Sequence, residues 1–255
     1  MKQITSYGPL AEALTAVLKN RIAANCAPDR DSLEKEIAAG LLWAERLPEG
    51  IVLLRRGGGP QRLRFLLTEP EALCRLSFDR TTVLELPYRR GDEKLPALAE
   101  ALKTHGWAEA LRRVRLTRKP APMGPYEPRE DSVSPVTVMT MLRACFSPLT
   151  GCLPEEAELA EDLAAGRVLA RDGGLIRWRE KGRISEIRHL AVDPAKRGQG
   201  LAKALVSEYL AQNGERLCRV WTAADNHGAK RVYERFGYAE DGWESVVLVY
   251  SRPML

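Results

Sequence analysis

No stretch of the 255-residue chain approaches the roughly 20 consecutive apolar residues that a membrane span requires, so no transmembrane segment is expected. Residues 1–9, Met-Lys-Gln-Ile-Thr-Ser-Tyr-Gly-Pro, hold no apolar run before the first turn signal, and no secretory leader is expected. Cys26, Cys74, Cys145, Cys152 and Cys218 form an odd, scattered set without a Cys-x-x-Cys pair. That pattern argues against a disulfide framework and fits reduced thiols in a cytoplasmic protein. The three histidines, His105, His189 and His227, stand far apart, so a zinc site has little to build on and no metal is expected.

Apolar residues make up 45% and charged residues 29%, the balance of a globular chain that can bury a sizeable core. Disorder, collagen and coiled coil are excluded. The net charge of +5 could favour acidic partners, but bases and acids alternate nearly everywhere. A solvated surface accounts for them, and no nucleic-acid or membrane partner is expected.

The clearest break is Lys119-Pro-Ala-Pro-Met-Gly-Pro-Tyr-Glu-Pro128, whose four prolines can continue neither a helix nor a central strand. It divides the chain into residues 1–120 and 129–255 around a linker at 121–128. The two sides resemble each other. Ala-Ala-Gly stands at 38–40 and again at 164–166, and residues 50–70 align without gaps to 174–194. In that window Gly50/Gly174, Gly58/Gly182, Arg64/Arg188, Leu66/Leu190 and Pro70/Pro194 coincide, which points to a duplicated domain.

Each half reads alike. Helices are expected over Pro9–Ala24 and Pro135–Phe146 from apolar residues at helical spacing. A second helix follows in each, opened by Asp31-Ser32 or by Pro154-Glu155-Glu156 and stopped at Gly40 or Gly166. Strands come next: Ile51–Arg55 and Arg62–Thr68, then Arg167–Arg171, Leu175–Arg179 and Ile184–Val192. The basic run Leu111–Lys119 reads as an edge strand protected by charge, with an acidic-substrate or nucleic-acid patch as the sharper alternative.

The segment after Ile184–Val192 carries chemistry. Arg197-Gly198-Gln199-Gly200-Leu201-Ala202 opens a helix, Leu201–Gln212, and its glycines let the main chain approach a phosphate at the helix N-terminus. The run lacks the Gly-Lys-Ser/Thr of a nucleotide P-loop and the third glycine of a dinucleotide fingerprint. That argues against nucleotide hydrolysis and hydride transfer, and for another phosphate-bearing ligand. Downstream, strand Leu217–Thr222 leads to Asn226, which can cap a helix over 227–236 ending at Gly237. Tyr233 shares a face of that helix with Val232 and Phe236, so a core aromatic is its ordinary use.

Val192-Asp-Pro…Arg197-x-x-Gly200-x-Ala202, followed by Asn226-x-x-Ala229-x-x-x-Tyr233-x-x-x-Gly237-Tyr238, closely resembles the two signature segments of the GNAT superfamily of acyl-CoA-dependent N-acyltransferases. Tyr238 replaces the usual phenylalanine. The resemblance covers roughly residues 129–255, and the repeat extends the fold to residues 1–120. It implies an α/β (α+β) architecture of two tandem GNAT-like domains, each a mixed, mostly antiparallel twisted sheet flanked by helices.

For the site, the resemblance implies that the N–H groups of Arg197, Gly198, Gln199, Gly200, Leu201 and Ala202 cradle the diphosphate of acetyl-CoA. The strand ending at Val192 splays from Leu217–Thr222. Pantetheine lies in the gap along Leu190, Ala191 and Val192, with a Val192 N–H polarising the thioester carbonyl. Asn226 and Ala229 lie by the pantetheine arm, and Tyr233 is the general acid for the departing thiolate. For the base, Glu186 is the first candidate, directly or through water, and His189 the reserve. Strand alternation sets these two on opposite faces. A surface carboxylate and a packed imidazole are their ordinary uses.

The first half departs from the family. Glu71–Phe78 is too short for a glycine loop and a full helix, and Leu102 falls where Tyr233 stands. It is expected to lack a coenzyme site and to wall an acceptor cleft. Trp43, Trp107, Tyr88 and Arg89-Arg90 are better explained by packing and surface charge. The expected activity is transfer of acetyl from acetyl-CoA to a primary amine, on a small molecule or a peptide, by direct attack in a ternary complex. A longer acyl donor and a non-catalytic acyl-CoA sensor are the alternatives. The protein is expected to be a monomer or a dimer.

Overall fold

Apolar pairs in Ile51-Val52-Leu53-Leu54 leave no polar face, and a strand of that kind must be covered on both sides. The computed structural model, which describes residues 1–20, 22–122 and 133–251, shows that cover. In chain order the first elements are β1 (Lys2–Gln3), α1 (Tyr7–Leu18), β2 (Ala23–Ala24), α2 (Arg30–Ala38), β3 (Leu42–Leu47), β4 (Gly50–Arg55) and β5 (Gln61–Leu67). After a 3₁₀ turn at Pro70–Arg75 come β6 (Thr82–Arg89), α3 (Lys94–Lys103) and β7 (Trp107–Arg118). Then follow α4 (Pro135–Cys145), α5 (Glu156–Ala164), β8 (Val168–Arg171), β9 (Gly174–Lys181) and β10 (Ile184–Val192). The chain closes with α6 (Leu201–Asn213), β11 (Leu217–Ala223), α7 (His227–Glu234) and β12 (Ala239–Tyr250).

Two compact units result: Met1–Arg112 with Ser245–Leu255, and Arg113–Glu244. The division differs from the one expected at 121–128, of which residues 123–128 lie outside the described residues. It falls inside β7 and β12 because the end of β12 buries Val246 and Leu248 in the first unit's core, beside Leu84, Leu98 and Trp107.

In the first unit the sheet runs β1-β3-β4-β5-β6-β12. Val52 and Leu54 face the core under α3, whereas Ile51 and Leu53 face the core under α1 and α2. Trp107 packs with Phe78 and Tyr250, Tyr88 is buried, and Arg56 lies over Trp43 at 4.4 Å. The expected helix Pro9–Ala24 ends at Leu18 because Ala23–Ala24 is taken by β5 as a short antiparallel strand.

That small strand has a consequence. The parallel pairing of β5 with β6 stops at Leu63–Leu84, and the strands part beyond it. Ala23, Ala24 and Asn25 fill the gap. Asn25 Nδ2 donates to Leu63 O and Glu85 O, both at 3.0 Å, and its Oδ1 accepts the Phe65 N–H at 2.8 Å. One side chain thus satisfies main-chain groups of both separated strands.

In the second unit the strands run β7-β11-β10-β9-β8, with α4 and α5 on one face and α6 and α7 on the other. The expectation of an edge strand at Leu111–Lys119 is corrected: β7 lies between β12 and β11, so its charges do not guard an edge. Arg118 instead is buried and donates to Phe236 O at 3.0 Å and Gly214 O at 3.1 Å, the carbonyl-rich ends of α7 and α6.

The two hairpins β4–β5 and β9–β10 share a layout, and their ladders correct the alignment: Arg64, Leu66 and Pro70 no longer fall on Arg188, Leu190 and Pro194. Gly50 faces Leu67, and Gly174 faces Val192, so β10 holds one residue more than β5. The extra residue is Arg188, at a bulge between Ile187 and His189. Beyond it Phe65 matches Leu190, not His189, and the gapless alignment from 50–70 to 174–194 is out of register from Arg64 onward.

Candidate active site

The chain leaves β10 at Asp193, whose carboxylate accepts the Ala195 N–H at 2.9 Å and fixes a short 3₁₀ turn. Gly198 and Gly200 follow with φ of 80° and 83°, a left-handed conformation that disfavours any side chain. Gly200 caps α6, and the first main-chain bond into the helix runs from Ala204 N–H to Gly200 O at 3.1 Å. The N–H groups of Gly198 to Lys203 have no main-chain acceptor among the described residues. Next to them lies a cavity of about 340 Å³ bordered by Arg171, Lys196, Gln199 and Gly200. Both cations are ion-paired, Lys196 with Asp172, which also borders the cavity, and Arg171 with Glu208, so it is the unpaired amides and the helix N-terminus that suit this place to an anion.

β10 and β11 run parallel and pair from Ile184–Leu217 to Ile187–Val220, and no farther. The splay starts at the same step as in the first unit. Asp193 N–H bonds Gly173 O at 2.8 Å, which makes Gly174–Val192 a wide pair of the antiparallel ladder. By alternation, Ala191 and His189 give their main-chain groups to β9, while Leu190 and Val192 turn theirs toward the gap. Phe65, the counterpart of Leu190, uses its N–H to bind Asn25. In the second unit no side chain corresponds to Asn25 there among the described residues; Val192 O accepts Arg197 Nε at 3.3 Å.

Asn226 caps α7, its Oδ1 accepting the Ala229 N–H at 3.0 Å. Tyr233, one helix turn beyond Ala229, is 3% exposed and packs at 5.5 Å from the Tyr238 ring. Burial raises the Tyr233 phenol above its ordinary range, so it holds its proton at any physiological pH. Cys218 on β11 is buried and its thiol is also pushed up by burial, which leaves it unreactive.

The bulge at Arg188 corrects the expectation that Glu186 and His189 lie on opposite faces. Glu186 faces Arg179 and His189 faces Arg177 in the β9 ladder, both on the α5 side, where Glu158 contacts both arginines. Glu186 is partly exposed and accepts Arg188 Nη1 at 2.6 Å. His189 is 2% exposed, with Nε2 at 2.8 Å from Gly151 O, Nδ1 at 3.5 Å from Arg177 Nη1, and its ring against Phe146. Both nitrogens are engaged, Nε2–H donating and Nδ1 accepting, so the imidazole has no lone pair for an amine. It is a packed core residue, and it drops out as a base.

Burial, chiefly, lowers the His189 pKa to about 3; the Gly151 bond opposes it, and Arg177, Arg188 and Arg179 add to it. Between about 6.5 and about 3 the unfolded chain therefore binds a proton that the fold does not. Stability falls as pH falls through that window, by up to roughly tenfold in the folding constant per pH unit. Urea unfolding between about pH 4 and 7 should show a shallower slope in His189→Gln than in the parent. Equal slopes would contradict the assignment.

Of the rest of this face, sequence reasoning singles out only the basic run Leu111–Lys119 and passes over β11 and β12. Arg115 and Thr117 of β7 and Arg219 and Trp221 of β11 share it, with Asp241 and Trp243 of β12. The alternation of Arg219 and Trp221 with buried Cys218, Val220 and Thr222 was the available signal.

Residues 136–238 match the acetyltransferase (GNAT) family. Over 75 residues the chain is 36% identical to an uncharacterised N-acetyltransferase of Methanocaldococcus jannaschii, a match covering 27% of this chain and 33% of that protein. The chain thus spans about a third of the length of that curated relative. Among solved structures, one from Pyrococcus horikoshii aligns with a TM-score of 0.61 at 15% identity, over 98% of this chain and 89% of its own. An acetyltransferase of the GNAT family from Colwellia psychrerythraea aligns with a TM-score of 0.54 at 14% identity, over 97% and 98%. A tandem GNAT protein from the clavulanic acid biosynthesis pathway gives 0.55 at 15% identity, over 95% and 93%. At these identities the structural likeness shows the fold.

Proposed function

We propose, from the match of residues 136–238 to the acetyltransferase (GNAT) family, that the protein transfers acetyl from acetyl-CoA to a primary amine by direct attack in a ternary complex. The observation that carries this reading is the splay of β11 from β10 next to a helix N-terminus whose amides lack acceptors. Acetyl-CoA supplies the activated acyl group. The N–H groups of Gly198 to Ala202 hold its diphosphate, with the small Ala202 leaving room on the first turn, and Arg197 at the mouth of the loop. The main chain of Leu190 and Val192 lines the gap for the pantetheine arm. A fixed Val192 N–H aims at the thioester oxygen, where charge develops.

Asn226 keeps its Nδ2 for the same arm while Oδ1 caps α7. Tyr233 holds a proton for the departing thiolate, and its burial keeps that proton in place until a strong base forms beside it. Glu186 takes the proton of the amine, directly or through water, from the face opposite α6. The test is thiol release from acetyl-CoA with a panel of primary amines, with the acetylated product identified by mass. Acetyl-CoA-dependent product on at least one amine is expected. Coenzyme binding without product on any amine would replace the enzyme with a sensor.

A further inference from the structure

The face that carries Glu186 holds a cation with nothing to bind. Register brings its neighbours together: Glu186 stands opposite Arg219 in the β10–β11 ladder, Arg219 opposite Thr117, and Trp221 opposite Arg115 in the β11–β7 ladder. Asp241 accepts Arg115 Nε at 2.8 Å and Thr117 Oγ1 at 2.6 Å. The Arg115 guanidinium lies 5.7 Å from the Trp221 ring centre and 4.9 Å from that of Trp243. Arg188 has Glu186 at 2.6 Å. The two carboxylates of this group are thereby engaged by Arg115 and Arg188.

Arg219 is left over. It makes no hydrogen bond or ion pair among the described residues, and its Nε is shielded from solvent without an acceptor. A shielded guanidinium donor without a partner is costly; Arg56, Arg64, Arg171 and Arg188 also leave Nε without an acceptor, but each of those has an ion-pair partner and Arg219 has none among the described residues. The residue sits one step before Val220, the last residue of β11 to pair with β10, so it borders the mouth of the splay. Burial lowers the hold of Arg115 on its own proton; the bond and charge of Asp241 oppose this, Arg219 adds to it, and Glu186 opposes it.

We propose that Arg219 docks a carboxylate of the acceptor, so that the acceptor is an amine that also carries a carboxylate, as a free amino acid does. The Nε–H and Nη–H fork of a guanidinium is the planar complement of a carboxylate, and Lys cannot reproduce it. Trp221, one pleat farther on the same face, offers an apolar surface for the remainder of such a molecule. The proposal rests on the transfer reaction above, since it takes the Glu186 face as the acceptor's.

The experiment measures thiol release from acetyl-CoA with amines matched except for the carboxylate: phenylalanine against phenethylamine, alanine against ethylamine, and phosphoethanolamine as the rival anion. Each protein is also titrated with acetyl-CoA alone. The amino acids should show a kcat/KM at least roughly tenfold above their decarboxylated partners, the scale of one charge-assisted hydrogen bond. Arg219→Ala should raise KM for the amino acids by a similar factor, change kcat little, and erase the preference; Arg219→Lys should restore it in part. Independently of any variant, 3-phenylpropionate should compete with phenylalanine in the parent protein.

Equal turnover of charged and neutral amines, a preference for phosphoethanolamine, or no competition by 3-phenylpropionate would overturn the proposal. So would a fall in kcat alone in Arg219→Ala. If neutral amines are acetylated, the transfer reading stands and only the carboxylate dock falls. If acetyl-CoA neither binds nor reacts, the transfer reading falls, and the dock falls with it.

Discussion

Replacing Tyr233 with phenylalanine should lower kcat by about a hundredfold to ten-thousandfold, the range of general acid catalysis, and leave affinity for acetyl-CoA unchanged. The substitution removes one oxygen. The ring keeps its contact with Tyr238 and its place in the core with Val206, Leu210 and Val220, so the fold of α7 is preserved. The effect is large because burial raises the Tyr233 phenol and keeps it protonated, and a protonated phenol is the form that an acid must start from. Rates of thiol release and titrations of coenzyme affinity on the same preparation separate the two quantities. An unchanged kcat would remove Tyr233 from the chemistry and return it to the core.

Asp162→Ala should cost about 3–5 kcal/mol of stability near neutral pH, the scale for breaking a buried charge pair from one side. Arg177 is 1% exposed and Asp162 5% at the side chain. Arg177 Nε donates to Asp162 Oδ2 at 2.6 Å, and Arg167 Nε donates to Oδ1 at 2.9 Å. Burial lowers the Arg177 pKa and the Asp162 charge offsets much of that, so removing Asp162 strands a guanidinium in the interior. Glu158, at 3.2 Å from Arg177 Nη2, is 26% exposed and shared with Arg179, and it cannot take over fully. Arg177 also contacts His189, so β10 should loosen where the gap begins. Urea unfolding measures the loss. A change below about 1 kcal/mol would mean that the pair contributes little, as exposed pairs do.

Much of the fold was legible because the second unit obeys local rules. Ile184–Val192 was read to the residue, since alternation and Asp193-Pro194 mark both its character and its end. Gly40 and Gly166, at φ of 69° and 65°, stop their helices where a residue with a side chain would be strained. What stayed hidden depends on contacts distant in sequence. Nothing local marks Ala23–Asn25 as a plug between β5 and β6, because the pairing that makes it one comes from residues 63–85. The C-terminal strand is shared between the units for the same reason. The bulge at Arg188 is a single inserted residue, marked in the sequence only by the three-residue step between Ile187 and Leu190 of one core, and it alone reversed the relation of Glu186 to His189. Of the candidate site, the glycine loop and α7 followed from spacing, whereas Arg219 needed the ladder to acquire neighbours.

The central claim is that one coenzyme groove is open in the second unit, and that the corresponding gap in the first is filled by Asn25. Titration of the protein with acetyl-CoA, followed by calorimetry and by thermal unfolding, tests it beside an Ala202→Glu variant that sets a carboxylate in the phosphate loop. The account predicts one equivalent bound per chain and a stabilisation of about 2.7 kcal/mol at 100 times the dissociation constant. Both should disappear in Ala202→Glu. Two equivalents, binding indifferent to Ala202→Glu, or no binding by a folded protein would contradict it.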